Sequence, residues 1–380
     1  MNAYERIENA VKLKPQTVGE VPVAPLIITF TARLAGMNQA KIFSNVKTWR
    51  EAVDRAVDRI GAPDMAFALW PRDVAFSEAL QYKLPGRELD DDALFQINEQ
   101  EVMQRLDYES LLEAGYGRWF LDYNLRLQPD LPVGWRGRTI VTYQFIRMGL
   151  RIRGNVARLK RLGIPPAFSG GGYPPFDFFS LARSINKFFI DLHDCPDLVQ
   201  KACEASLGPI LATMLQTLQV TNGKRVCIYP MRSSATFISP KMFEKFVLEH
   251  LKRMAEFFVN KGITPIIHCD ANWLPMLPYL RELPRASCIL ELDNDTDIFK
   301  AKEILGDWMC LKGNVPARLL AFDEVGEVEA YCEKLIREVG HGGGFILGSG
   351  CEVPLNAKVE NVQAMLRVAR GWGHLKAGSA

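Results

Sequence analysis

Lys261-Gly-Ile-Thr-Pro-Ile-Ile-His-Cys-Asp-Ala-Asn272 reads as a helix end, a buried strand and a chemically loaded strand exit. Gly262 suits a helix C-cap. Ile263, Ile266 and Ile267 are apolar and β-branched, as a strand buried on both faces requires. His268, Cys269 and Asp270 follow in a row, each able to bind a metal or move a proton. Side chains alternate along a strand, so His268 and Asp270 share one face and Cys269 takes the other. In barrels and open α/β sheets, reactive groups sit at the carboxyl ends of strands. Read alone, the triplet is equally a satisfied core histidine beside a buried thiol.

Around this stretch, strand and helix alternate. Arg225–Tyr229 reads as a strand. Ser239-Pro240 then opens a helix, with Ser at the N-cap and Pro at the first helical position. Its apolar stripe is Phe243, Phe246, Val247, Leu251, Met254, Phe257 and Phe258, and His250 lies on it as a packing residue. Further strands are predicted over Ala286–Leu292, Trp308–Lys312 and Gly344–Gly348. Helices over Ile298–Leu305, Val325–Val339 and Asn361–Arg370 separate and close them.

Toward the N-terminus, Val21–Phe30, Asp64–Trp70 and Pro166–Phe176 give three more strand signals, with a helix over Ser44–Ile60 between the first two. Strands near residues 23, 65, 167, 227, 265, 288, 309 and 345 predict a (β/α)8 TIM barrel, one domain over residues 1–376. A doubly wound open sheet is the alternative. Residues 75–160 differ: they are charged, with a helix expected over Glu99–Ala114 and a strand over Arg138–Phe145. Trp119, Phe120, Tyr123, Trp135 and Tyr143 scatter aromatic rings through them. This segment reads as a helical insertion covering the C-terminal mouth, either a lid or added packing. Residues 377–380 read as a flexible end. Gly170-Gly-Gly172 matches no phosphate-loop pattern and reads as close backbone approach near a pocket.

The chain has 380 residues, 48% of them hydrophobic, enough for a sizeable core. Its 46 basic and 44 acidic residues leave a net charge of +2 without a like-charge block, which gives no case for nucleic acid or a membrane surface. No apolar run is long enough to span a bilayer, and Met1–Arg6 lacks a signal sequence, so a cytoplasmic protein is expected. The eight cysteines contain no Cys-x-x-Cys pair. Most, including Cys227, Cys288 and Cys310, are expected reduced and buried.

Few ligand-capable residues lie at predicted strand exits. They are His268, Cys269 and Asp270; Glu291 and Asp293; and Cys351 and Glu352. His268, Asp270 and Cys351 at one barrel mouth would make a three-ligand zinc site with an open fourth position. Cys269 and Glu291 are reserve ligands. His341 precedes its strand, on the face of a barrel associated with stability.

Several motifs resemble the uroporphyrinogen decarboxylase superfamily: Gly313-Asn-Val-Pro316, Gly343-Gly-Phe-Ile-Leu-Gly-Ser-Gly-Cys-Glu-Val-Pro354 with Asn361, Ser239-Pro-x-x-Phe243 and Glu303-Ile-Leu-Gly-Asp307. The resemblance runs from about Glu5 to Arg370 and is weakest over 75–160. Gly-Ser-Gly-Cys351 points to the corrinoid-dependent methyltransferases of that superfamily, O-demethylase type included. Those proteins bind zinc through a His-x-Cys pair after the fifth strand and a Cys after the eighth. The pattern falls on His268, Asp270 and Cys351, with Asp270 standing where a Cys is usual. A carboxylate in place of a sulfur hardens the site toward oxygen donors. The resemblance therefore implies a zinc-dependent methyl transfer from an O-methyl substrate, such as a methoxylated aromatic, to the cobalt(I) of a corrinoid (cobalamin) carried by a partner protein. Two alternatives stand beside it. One is a uroporphyrinogen-type decarboxylase, although the segment after the first strand holds one arginine, Arg33, where such enzymes are Arg-rich. The other is a non-catalytic, corrinoid-binding accessory protein.

Overall fold

The computed structural model describes residues 1–16, 21–77 and 81–375; the expected flexible end at 377–380 lies outside the described residues. The ring begins with two extended segments, β1 (residues 22–26) and β2 (residues 64–67). Six parallel strands follow in chain order: β3 (Gly171–Gly172), β4 (Arg225–Ile228), β5 (Thr264–Cys269), β6 (Ile289–Leu292), β7 (Cys310–Val315) and β8 (Phe345–Ser349). Parallel bridges close the circle, Val23 to Leu347 of β8 and Ala66 to Pro166 ahead of β3. The Asp64 N–H donates to the Val23 carbonyl at 2.7 Å, joining β2 to β1. The fold is a (β/α)8 barrel. Pro22, Pro25, Pro165 and Pro166 have no N–H to give, which keeps the ladders on this side to single bridges.

The pleat sorts side chains into two layers. Met65, Phe67, Phe168, Cys227, Ile266, Ile289, Cys310 and Ile346 fill the barrel. Val226, Ile228, Ile267, Cys269, Leu290, Leu292 and Leu347 point outward into the layer beneath the helices. Cys227, Cys288 and Cys310 are buried, as expected of core thiols. His250 is buried on its helix, with Nδ1 3.3 Å from the Phe246 carbonyl.

The later part of the segment between β2 and β3 is built on three helices, Asp107–Ala114, Tyr116–Arg126 and Trp135–Arg161. The expected strand over Arg138–Phe145 is part of the last of these. Its β-branched run, Thr139-Ile-Val-Thr142, is overridden by Val141, Met148, Ile152, Val156 and Leu159, which bury at helical spacing. The helix expected from Glu99 begins only at Asp107, whose carboxylate accepts the Gln104 N–H at 2.6 Å and fixes the turn. The helix Trp135–Arg161 packs on Pro196–Thr221, and Phe145, Met148 and Ile152 come down beside the exits of β2 to β4. After β3, the helices Pro175–Ala182 and Ile185–Asp194 are separated by a break at Ser184, with φ 66°. None of the described helices is long and apolar enough to cross a membrane.

Candidate metal centre and adjoining cavity

Alternation along β5 places Ile266 inside the barrel, Ile267 outside and His268 inside. His268 and Asp270 therefore emerge together at the strand exit. Cys269 is buried on the opposite side, beneath the helices, so this reserve ligand is not brought to the cluster. The loop after Asp270 is pinned from several sides. Ala271, at φ 67°, donates its N–H to Asp293 Oδ2 at 2.5 Å. Thr296 Oγ1 donates to the Ala271 carbonyl at 2.9 Å and accepts the Trp273 N–H at 2.9 Å. The fully buried Trp273 indole donates to the Asp270 carbonyl at 2.9 Å. Burial lifts the Asp293 carboxyl to about 6, against the Ala271 and Asp295 N–H groups that donate to it.

Cys351 arrives from β8. Ser349 Oγ accepts the Leu26 N–H at 3.0 Å and donates to the Cys351 carbonyl at 2.5 Å, tying the turn to the exit of β1. Glu352 turns away to Thr29, whose N–H it accepts at 2.5 Å, so it does not join the site.

Three ligand atoms converge: His268 Nε2, Asp270 Oδ1 and Cys351 Sγ. Nε2 lies 3.3 Å from Oδ1 and 4.0 Å from Sγ, and the three residues offer ligand atoms within 4.8 Å of one another. Tetrahedral zinc with ordinary bond lengths would set its N···O and N···S edges at about 3.3 and about 3.6 Å. The donor set fits zinc once the Cys351 thiol moves in toward the other two ligand atoms. The electrostatics agree. Burial alone would lower the His268 pKa, yet Asp270, with Cys351 and Glu291 beside it, holds it well above the usual range. Burial would raise Asp270, but the His268 charge holds it below the usual range. The cluster favours positive charge at its centre.

The other reserve ligand, Glu291, sits on the far side of the ring. Its Oε2 is 3.4 Å from His268 Nδ1, and Oε1 is bonded to Lys312 Nζ. It is not one of the three converging ligands. The sequence reading missed Lys312, Thr296 and Trp273. Lysine directly after the apolar run Trp308–Leu311 was the signal for the first.

Beside the cluster lies a cavity open on one side. Leu69, Gly170–Gly172 and Tyr229 bring the exits of β2, β3 and β4 to it; Tyr116, Phe120, Phe145, Met148 and Ile152 come from the inserted helices. Among the described residues, no charged side chain lines it. Tyr229 also meets His268 edge to face, with ring centroids 6.1 Å apart, so one ring borders both the cavity and the candidate metal centre.

Comparison with known proteins places this architecture. A structure described as a methyltransferase from Methanosarcina mazei superposes with a TM-score of 0.70 at 18% identity, covering 98% of this chain and 99% of that one. Uroporphyrinogen decarboxylases of Coxiella burnetii, strains Dugway 5J108-111 and RSA 493, are 26% identical over 140 residues, 36% of this chain. The match spans 37% of the length of those curated relatives. Residues 166–372, from the approach to β3 through the closing helix, match the family model described as Uroporphyrinogen decarboxylase (URO-D), and the chain belongs to that family.

Proposed function

We propose that the protein is a zinc-dependent methyltransferase that moves a methyl group from an O-methyl substrate, most simply a methoxylated aromatic, to the cobalt(I) of a corrinoid held by a partner protein. The observation that carries the reading is the convergence of His268, Asp270 and Cys351 beside an aromatic-walled cavity. In this reading the three side chains hold zinc, which supplies a Lewis acid at the substrate's ether oxygen. Asp270, a carboxylate in a set otherwise of His and Cys, hardens the centre toward that oxygen. The cavity binds the aryl group through Phe120, Phe145 and Met148, excludes water from it, and directs the methoxy group past Tyr229 toward His268. The methyl–oxygen bond breaks as the methyl–cobalt bond forms. The oxygen leaves with the bonding pair and is protonated from solvent.

Decarboxylation of a porphyrinogen is the competing reading, from the family name. A substrate with many carboxylates needs convergent arginines. Arg33 is exposed on the helix Phe30–Ala35, and among the described residues no arginine lines the cavity. The test is incubation of zinc-loaded protein with cob(I)alamin and a panel of methyl donors, followed by the corrinoid spectrum. Methoxyarenes are expected to yield methylcobalamin. Turnover of methylamines or methanol alone would overturn the substrate class, and decarboxylation of a porphyrinogen by metal-free protein would overturn the reaction.

A further inference from the structure

Three charged or chargeable residues lie abreast inside the barrel. His268 pairs in register with Glu291, and Glu291 with Lys312, across β5, β6 and β7. In-register residues on parallel strands face the same side. All three point inward, and Glu291 and Lys312 are only 4% and 5% exposed. The Lys312 stem lies against Gly348 of β8, where an added Cβ would sit 3.3 Å from Lys312 Cγ and 3.4 Å from Cε. A small cavity beneath the pair is otherwise walled by apolar residues, among them Leu26, Met65, Phe67 and Ile266. Glu291 thus spends one oxygen on Lys312 and turns the other to His268 Nδ1.

A buried ion pair is costly, and an apolar pair of similar volume would often fold as well. Here the pair has one specific effect on its neighbour. A carboxylate at Nδ1 makes that nitrogen the N–H donor and leaves the Nε2 lone pair facing Asp270 and Cys351. We infer that Glu291, pinned by Lys312, is a positioning residue that fixes the tautomer and plane of His268 and is held back from the metal itself. The inference rests on the metal-centre reading above and adds to it. The protein supplies three ligands, and the fourth position stays free for substrate oxygen.

The experiment uses the whole chain, in the wild type and two double variants. Glu291→Leu/Lys312→Met removes the pair without stranding a charge. Glu291→Gln/Lys312→Met keeps an amide oxygen able to accept from Nδ1–H. Zinc affinity is read by chelator competition. The tautomer is read from 15N shifts of the imidazoles, tractable with five histidines in the chain. The Leu/Met variant is expected to keep one zinc per chain, bound about 10- to 100-fold more weakly, with the His268 15N pattern altered. The Gln/Met variant should recover most of that affinity and the wild-type pattern. Unchanged affinity and 15N shifts in the Leu/Met variant would reduce the pair to packing and overturn the inference. Equal loss of zinc in both variants would make Glu291 a ligand and also overturn it. A wild-type chain that binds no zinc would fell the metal-centre reading and this inference together.

Discussion

His268 Nε2 and Cys351 Sγ stand 4.0 Å apart although 83 positions separate them in the chain. They come from β5 and β8, which are not neighbours in the sheet, and only closure of the barrel brings the two exits to one mouth. The first prediction follows from that convergence. His268→Ala and Cys351→Ser are each expected to reduce zinc from one per chain to a small fraction of that. Each should lower methyl transfer by on the order of 10³-fold, since Lewis-acid stabilisation is worth several kcal/mol. Cys269→Ser should change neither, because Cys269 is buried on the opposite face of the strand. Metal analysis of the purified variants checks this; full zinc occupancy in His268→Ala would move the site elsewhere.

Asp270 is the residue that departs from the sulfur-rich pattern of the methyltransferases the sequence resembles, and its carboxylate lies within reach of the same centre. Asp270→Cys should retain zinc, because thiolate is the better ligand, but make the centre softer. The rate with methoxyarenes is expected to fall about tenfold or more, with the balance moving toward sulfur substrates. Equal activity with ethers would remove the argument that the carboxylate tunes the centre.

How much of this could be read from residues alone differs by element. His268 and Asp270 were legible because a period of two leaves one reading of the face they share, and the same alternation sends Cys269 outward. Cys351 was legible as a strand-exit thiol. The role of Glu291 was not. Its position on the Nδ1 side of His268 depends on the cross-strand register and on Lys312, and register is a property of the assembled sheet. Residues 138–145 were misread for the opposite reason. Their β-branched run states a local preference that packing against Pro196–Thr221 overrules. The proline-bounded β1 and β2 were located correctly, yet they pair through only single bridges.

The cavity offers a test that leaves the metal centre untouched. Ile210, on the helix Pro196–Thr221, lines the cavity wall and is 7% exposed. Ile210→Trp would fill space assigned to the aryl ring. Its expected effect is a rise of about tenfold in the apparent KM for methoxyarenes, the scale on which pockets discriminate by volume. Zinc content should be unchanged, and turnover of a donor as small as methanol should be affected little if it occurs at all. An unaltered KM for the aromatic donor, with the variant folded, would place the substrate elsewhere.

Asp177 carries a prediction about stability. It is fully buried in the phenylalanine-rich helix Pro175–Ala182. Its carboxylate accepts the Arg232 N–H at 2.7 Å and the Ser233 hydroxyl at 2.7 Å. The Arg232 guanidinium is spent elsewhere, on the Ser180 carbonyl at 2.7 Å and on Glu99 at 3.0 Å. Burial outweighs the two donors and the nearby Arg232 charge, and lifts the Asp177 pKa from its ordinary 3.8 to about 7. A raised carboxyl pKa means that the folded state holds the proton more tightly than the unfolded chain. Its stabilising contribution is complete below about 3.8 and is lost as pH rises through about 7. The gap corresponds to about 4 kcal/mol. Denaturant unfolding of the wild type and Asp177→Asn, compared from pH 4 to pH 8, isolates this term. Asparagine cannot ionise, so the stability of the wild type relative to the variant should fall across that window by up to about 4 kcal/mol. A difference that stays flat or grows with pH would mean that Asp177 is already ionised in the folded protein, with its two donors outweighing burial.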